Sequence, residues 1–225
     1  MTLTGKSMFR NLPFVRNYTT RQWSNWWAAR KIDWRKQYLE TWNHPHRNMI
    51  SAVLERVQWM SLLEMGCGPG ANLVNIVKRF PKKQVGGIDV NPEAIAMAAE
   101  VFHGAFLKVG SVEDIMMSDN SSDIVLTDMC LIYVGPRKID QVITEIKRVS
   151  RNFVVFCEFH SESWWARMKL RMFSGLYAYN YRKLLERHGF YDINLIKMPD
   201  SAWPDGDETQ RGFSYIMLAK VPKRK

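Results

Sequence analysis

From residue 60 onward, short apolar runs alternate with stretches whose apolar residues recur at helical spacing. That alternation is the signature of βαβ units wound around a mostly parallel sheet. Runs rich in branched or aromatic residues, bounded by Gly, Pro, Asn or Asp, predict strands at Met60–Met65, Gln84–Asp89, Ala105–Val109, Asp123–Asp128 and Phe153–Phe159. Two more are expected near Tyr191–Lys197 and Phe213–Ala219. Helices fill the intervals at Gly70–Phe80, at Pro92–Phe102 with its proline in the first turn, and at Pro136–Ser150. In the last of these Ile139, Val142, Ile143, Ile146 and Val149 form one stripe. A further helix over Tyr179–His188 is stopped by Gly189. The expected fold is a single α/β domain, doubly wound around a mostly parallel seven-stranded sheet.

Residues 1–58 show no strand pattern and read as a helical cap over one sheet edge, with residues 59–225 as one compact unit. Pro45 opens a helix over Arg47–Val57 that leads into the first strand. The tail Pro222–Lys225 reads as solvated chain.

Composition sharpens this picture at the flanks. The chain of 225 residues carries a net charge of +10, of which +7 falls in residues 1–58, −2 in 59–150 and +5 in 151–225. Eight of the nine tryptophans also lie outside the central block. A basic, aromatic surface attracts phosphates, nucleic acid or anionic lipid without choosing among them. The three cysteines, Cys67, Cys130 and Cys157, are far apart in apolar stretches, which suits free thiols in a reducing compartment. With no run of eighteen apolar residues and no signal-peptide core, the sequence reads as a soluble cytoplasmic protein with no transmembrane segment; its oligomeric state is not encoded in any pattern.

The chemistry concentrates in Leu62–Leu73, where a buried strand enters a turn holding Gly66, Cys67, Gly68 and Gly70 and then a helix. Such a turn lets a ligand approach the backbone at a helix N-terminus. Asp89 closes the second strand twenty-one residues after Gly68, where a carboxylate meets both ribose hydroxyls of a nucleoside. Gly66, Gly68 and Ala71 also satisfy the dinucleotide spacing, so a nicotinamide oxidoreductase stays open as the weaker alternative. Glu64 argues against it, because a carboxylate in front of the turn repels a diphosphate yet suits an ammonium and a sulfonium. A Tyr179/Lys183 pair at dehydrogenase spacing follows the wrong strand and reads as chance.

Together Leu62–Leu73, Val85–Ala94 and Val109–Ile115 resemble the class I S-adenosylmethionine-dependent methyltransferases, a Rossmann-like family, over roughly residues 45–220. The resemblance implies that Gly66, Cys67, Gly68 and Gly70 cradle the methionine part of S-adenosyl-L-methionine, that Glu64 helps hold it, and that Asp89 with Val90 meets the ribose. It also places Ser111 and Val112 at the adenine, and Asp128 and Met129 on the substrate side of the cofactor. Trp42, His46 and Arg47, just before the first strand, are expected near the cofactor's carboxylate. No metal is required; His44 and His46 lack the acidic or cysteine partner of a metal site. The segment Thr127–Val134 lacks the signatures of DNA methylation, which leaves a small-molecule or glycan-like acceptor, anionic ones included, with tRNA-type RNA as the alternative.

Ligands of open α/β sheets bind beyond the carboxyl ends of the strands. This selects Asp128 and Tyr133 after the fourth strand and Glu158 and His160 after the fifth as catalytic candidates, with His160 preferred as base because imidazole titrates near neutrality. The basic, apolar stretch Trp164–Phe173 is expected to be an acceptor lid or plain packing, with peripheral membrane contact the lesser reading.

Overall fold

The computed structural model describes residues 19–223; the first part of the expected cap and the tail residues Arg224 and Lys225 lie outside the described residues. Seven strands form one sheet: β1 (Ser61–Met65), β2 (Gln84–Asp89), β3 (Phe106–Val109), β4 (Ser122–Asp128), β5 (Ser150–Phe159), β6 (Tyr191–Lys197) and β7 (Ser214–Lys220). Their order is β3-β2-β1-β4-β5-β7-β6. The first five run parallel, and β7 is antiparallel to both β5 and β6. Chain order reverses between β1 and β4, so the crevice opens at the carboxyl ends of those two strands.

The helices follow the sequence pattern closely. α4 (Ala71–Arg79), α5 (Pro92–Val101), α6 (Ile139–Val149) and α8 (Tyr181–Arg187) cover the sheet, preceded by α1 (Thr20–Ala28), α2 (Trp34–Gln37) and α3 (Pro45–Leu54). In α5, Asn91 caps the amides of Glu93 and Ala94 while Pro92 stands where no donor is needed. All five stripe residues of α6 are buried against the sheet. Two helices, α7 (Trp164–Ser174) and α9 (Glu208–Phe213), flank the last three strands.

Two apolar layers sandwich the sheet. One gathers Ile50, Leu54, Leu73 and Ile76 with Trp23 and Trp203, and the other packs α6 and α8 beneath Leu63, Val125 and Phe156. The cap is tied to the sheet at the crevice itself. Asn91 Nδ2 donates to the carbonyls of Trp27 (2.8 Å) and Arg30 (2.9 Å), and the amide of Gly135 donates to Thr20 Oγ1 (2.9 Å). Trp23 and Trp27 pack against Tyr133, with ring centroids 4.9 and 5.4 Å apart. Each of these contacts joins residues more than sixty positions apart, so the cap roofs the crevice instead of lying along one sheet edge.

A candidate ligand cavity at the carboxyl ends of the strands

Beneath that roof lies a cavity of about 200 Å³. Its floor is the glycine turn. Gly66 sits at φ +73°, and a Cβ there would stand 2.6 Å from Cys130 Sγ, so both the backbone conformation and the close approach of the β4 loop require glycine. The amides of Gly66 and Cys67 both donate to Ile88 O, which pins the turn to β2. Asp89, at the end of β2, accepts from the amides of Gly68 and Asn91, each at 2.8 Å. Burial raises its carboxyl above the usual range, and those backbone bonds oppose the rise.

Glu64, Asn72 and Asp128 meet at the inner wall. The strand pattern of β1 turns Glu64 inward, and Asn72 stands in the first turn of α4 on its buried face. One amide nitrogen, Asn72 Nδ2, donates to both Glu64 Oε1 (2.6 Å) and Asp128 Oδ2 (2.9 Å). His46 Nε2 reaches the same Asp128 oxygen at 3.0 Å, while its Nδ1 lies 2.5 Å from Nδ1 of His44. The His46 ring stacks on Trp203 at 4.2 Å.

Burial pushes the Glu64 carboxyl well above its ordinary value. For Asp128, burial would do the same, but His46, Arg47 and the Asn72 amide together hold it well below the ordinary carboxylate range. Burial also lowers the imidazoles of His46 and His44, the latter to about 4. We therefore assign neutral imidazoles, with His46 Nε2–H donating to an ionised Asp128 whose charge is balanced by the buried guanidinium of Arg47.

Four buried polar atoms of this wall have no hydrogen-bond partner: Glu64 Oε2, Asn72 Oδ1, Asp128 Oδ1 and Arg47 Nε. Buried polar groups are rarely left unpaired, so this set is prepared for a ligand that brings donors to three oxygens and an acceptor to one guanidinium. On the roof side, Tyr133 Oη and the indole nitrogens of Trp27 and Trp34 are likewise buried and unpartnered. Burial pushes the Tyr133 phenol well up, so it remains a donor.

Most residues expected from sequence line the cavity: Glu64, Gly66, Cys67, Gly68, Asp89, Val90, Ser111, Val112, Asp128, Met129, Tyr133, His46 and Arg47. Met129 does so at φ +50°, a strained conformation for a side-chain-bearing residue at the end of β4. Three expectations are corrected. His160 lies outside the cavity: it is buried, its Nδ1 accepts from the Tyr181 amide, and its ring rests on Tyr215, with burial lowering the imidazole to about 4. It is held between β7 and the start of α8, and is no base for a ligand in the crevice. Trp42 also stands outside, its carbonyl accepting from Asn75 Nδ2 and its ring under the Lys78 ammonium. Gly70 caps α4 and faces Phe102 instead of the cavity.

Glu158 accepts from the amides of Cys130 and Leu131, and burial pushes it up to about 8. It braces the β4 loop from behind. The Tyr179 hydroxyl donates to Val134 O and serves the same loop. Asn72, Trp27, Trp34, Trp203 and Gln210 were not expected. Asn72 left a signal, a polar residue inside the apolar stripe of α4; the tryptophans left only their concentration in segments without strands.

Comparison with known proteins agrees with this geometry. The methyltransferase domain family matches residues 62–152. The release factor glutamine methyltransferase of Koribacter versatilis is 27% identical over 117 residues, covering 48% of this chain and 41% of that protein. The chain spans less than half the length of the curated relatives it matches. Among solved structures, the complex between the Haloferax volcanii Trm112 methyltransferase activator and the putative methyltransferase matches with a TM-score of 0.63 and 18% identity, covering 90% of this chain and 98% of that one. The geranyl diphosphate C-methyltransferase of Streptomyces coelicolor A3(2), solved with S-adenosyl-L-homocysteine, gives 0.62 at 12% identity, covering 78% and 76%. At such identities these structures establish the shared fold.

Proposed function

We propose, from the premise that this chain carries a class I S-adenosylmethionine-dependent methyltransferase domain, that it methylates an oxygen or nitrogen of a small acceptor enclosed beneath the aromatic roof. The observation that carries the reading is the set of unpartnered atoms on the inner wall. An amino-acid group supplies what they lack: an ammonium offers three donors to Glu64 Oε2, Asn72 Oδ1 and Asp128 Oδ1, and a carboxylate accepts from Arg47 Nε. A diphosphate would meet three oxygens with more oxygens. In this reading Asp89 takes the ribose hydroxyls, and Ser111 with Val112 the adenine, supported by all three lining the cavity.

When bound, S-adenosylmethionine would supply a sulfonium-activated methyl group: an acceptor lone pair would bond to the methyl carbon in line as the carbon–sulfur bond breaks, S-adenosylhomocysteine would be the leaving group, and a proton released from the acceptor would pass to solvent. The protein's share is alignment and exclusion of water, effects that together reach roughly 7–11 kcal/mol in favourable cases. Trp27, Trp34, Tyr133 and Trp203 line the cavity with flat apolar surface, and the Tyr133 hydroxyl and the two roof indoles offer donors that orient an oxygen-bearing acceptor. Asp128 and Tyr133 remain the site's catalytic candidates, Asp128 by seating the cofactor and Tyr133 by holding the acceptor.

Methyl-labelled S-adenosylmethionine, incubated with a panel of small planar oxygen and nitrogen acceptors and with total tRNA, tests the acceptor class. Label is expected in small molecules, with little dependence on salt. Label in RNA that falls steeply with salt, as phosphate contacts require, would contradict the small-acceptor reading.

A further inference from the structure

Large hydrophobic side chains are scattered singly over most of the described surface, with one exception. Of the eleven that are exposed among the described residues, five belong to α7: Trp164, Trp165, Met168, Met172 and Phe173. Trp165 is 76% and Phe173 70% exposed, against 6% for Leu170. With about 3.6 residues per turn, these five and Lys169 fall on one half of the helix, opposite Leu170. A lid or a packed helix would present this half to the protein, and none of it lines the cavity. The sequence expectation of lid or packing is corrected accordingly.

We propose that this face of α7 docks on an anionic lipid surface. The argument is the pairing of apolar side chains with charge. The helix holds Arg167, Lys169 and Arg171 and no acidic residue, in a chain of net charge +10. Lys169 is exposed within the apolar face; Arg167 is turned onto the carbonyls of Ser161 and Glu162, and Arg171 lies over Tyr177. Glu162, just ahead of the helix, is the one exposed acid beside it. Tryptophan and phenylalanine settle at the boundary between headgroups and acyl chains, and cationic side chains at the rim of the apolar face meet anionic headgroups. A contiguous apolar patch of this kind marks an interaction surface on a folded protein.

The placement is consistent with access to the cavity. β5 runs parallel to β1 and β4, so α7 leaves the sheet at the end where the cavity opens. Arg171 stacks on Tyr177, whose hydroxyl lies beside Gly135 and Thr20, and Thr20 lines the cavity. Docking through α7 therefore turns the cavity's end of the molecule toward the bilayer.

Sedimentation of the full chain with vesicles of phosphatidylcholine, with and without phosphatidylglycerol, tests the proposal. Binding is expected on the mixed vesicles and at least about tenfold weaker on phosphatidylcholine alone. Trp165→Ser with Phe173→Ser is expected to lower binding about tenfold or more, since both side chains are exposed, 76% and 70%, on the apolar face. Lys169→Glu, which leaves the apolar face intact, should weaken binding to the mixed vesicles alone. Absence of pelleting, or equal pelleting on both vesicle types, would overturn the proposal. So would concentration-dependent dimerisation, measured by light scattering and abolished by the double variant, because the face would then belong to a second copy of the chain.

Discussion

Replacing Asp89 with alanine is expected to weaken S-adenosylhomocysteine binding about 100-fold. Its two carboxylate oxygens accept from the amides of Gly68 and Asn91 and so align the glycine turn with the end of β2. On the proposed function the same carboxylate also accepts from the ribose hydroxyls. Hydrogen bonds to a charged acceptor contribute roughly 1.5–3 kcal/mol each, and about 1.4 kcal/mol corresponds to tenfold in affinity. Losing two reaches the expected factor. Asp89→Asn keeps one acceptor oxygen and should lose about tenfold. Calorimetric titration of the two variants gives the comparison, and near-wild-type affinity in the alanine variant would place the ribose elsewhere.

His46→Leu is the second large effect. On the proposed function His46 acts on the cofactor through Asp128, as a positioning residue. Its Nε2–H and Asn72 Nδ2 are the two donors on Asp128 Oδ2. Removing one charge-assisted bond of roughly 1.5–3 kcal/mol raises the Asp128 carboxyl from well below the ordinary carboxylate range toward it. S-adenosylhomocysteine affinity should fall about tenfold at neutral pH. His46→Gln supplies an amide donor and should restore most of the loss, which a purely structural role for the ring would not allow.

Stability has its own sign. The folded-state values of His44, His46 and His160 lie below the ordinary histidine value of 6.5, so the unfolded chain binds protons first as pH falls. Their contribution is present above pH 6.5 and is lost between that value and about 4, where His44 and His160 titrate in the folded protein. His46→Leu should reduce this acid sensitivity.

The sheet was legible because its signals are local. Short apolar runs bounded by turn residues place all seven strands to within about three residues, and Pro92 and Gly189 mark helix boundaries through backbone chemistry alone. The glycine turn, Glu64 and Asp89 were legible for the same reason, since strand, turn and helix are contiguous. What escaped depends on pairings between distant segments. His160 stands at the end of β5 as expected, but its amide is bonded to Phe213 O and its ring to the start of α8, contacts set by antiparallel β7. The same reversal brings Trp203 against His46. That Trp27 and Trp34 leave their indole nitrogens unpartnered over the crevice depends on how Asn91 and Gly135 anchor α1, a pairing of distant segments. For α7 composition is legible but orientation is not, and burial of Leu170 decides which half faces solvent.

Calorimetric titration of the purified chain with S-adenosylhomocysteine and, separately, with nicotinamide adenine dinucleotide tests most directly whether the inner wall receives an amino-acid group. One-to-one binding of S-adenosylhomocysteine, weakened by Asp128→Ala and by Arg47→Ala, with no heat from the dinucleotide, is the predicted result. Saturable binding of the dinucleotide with none of S-adenosylhomocysteine would contradict it, because three buried, unpartnered carboxylate and amide oxygens would then be facing a diphosphate.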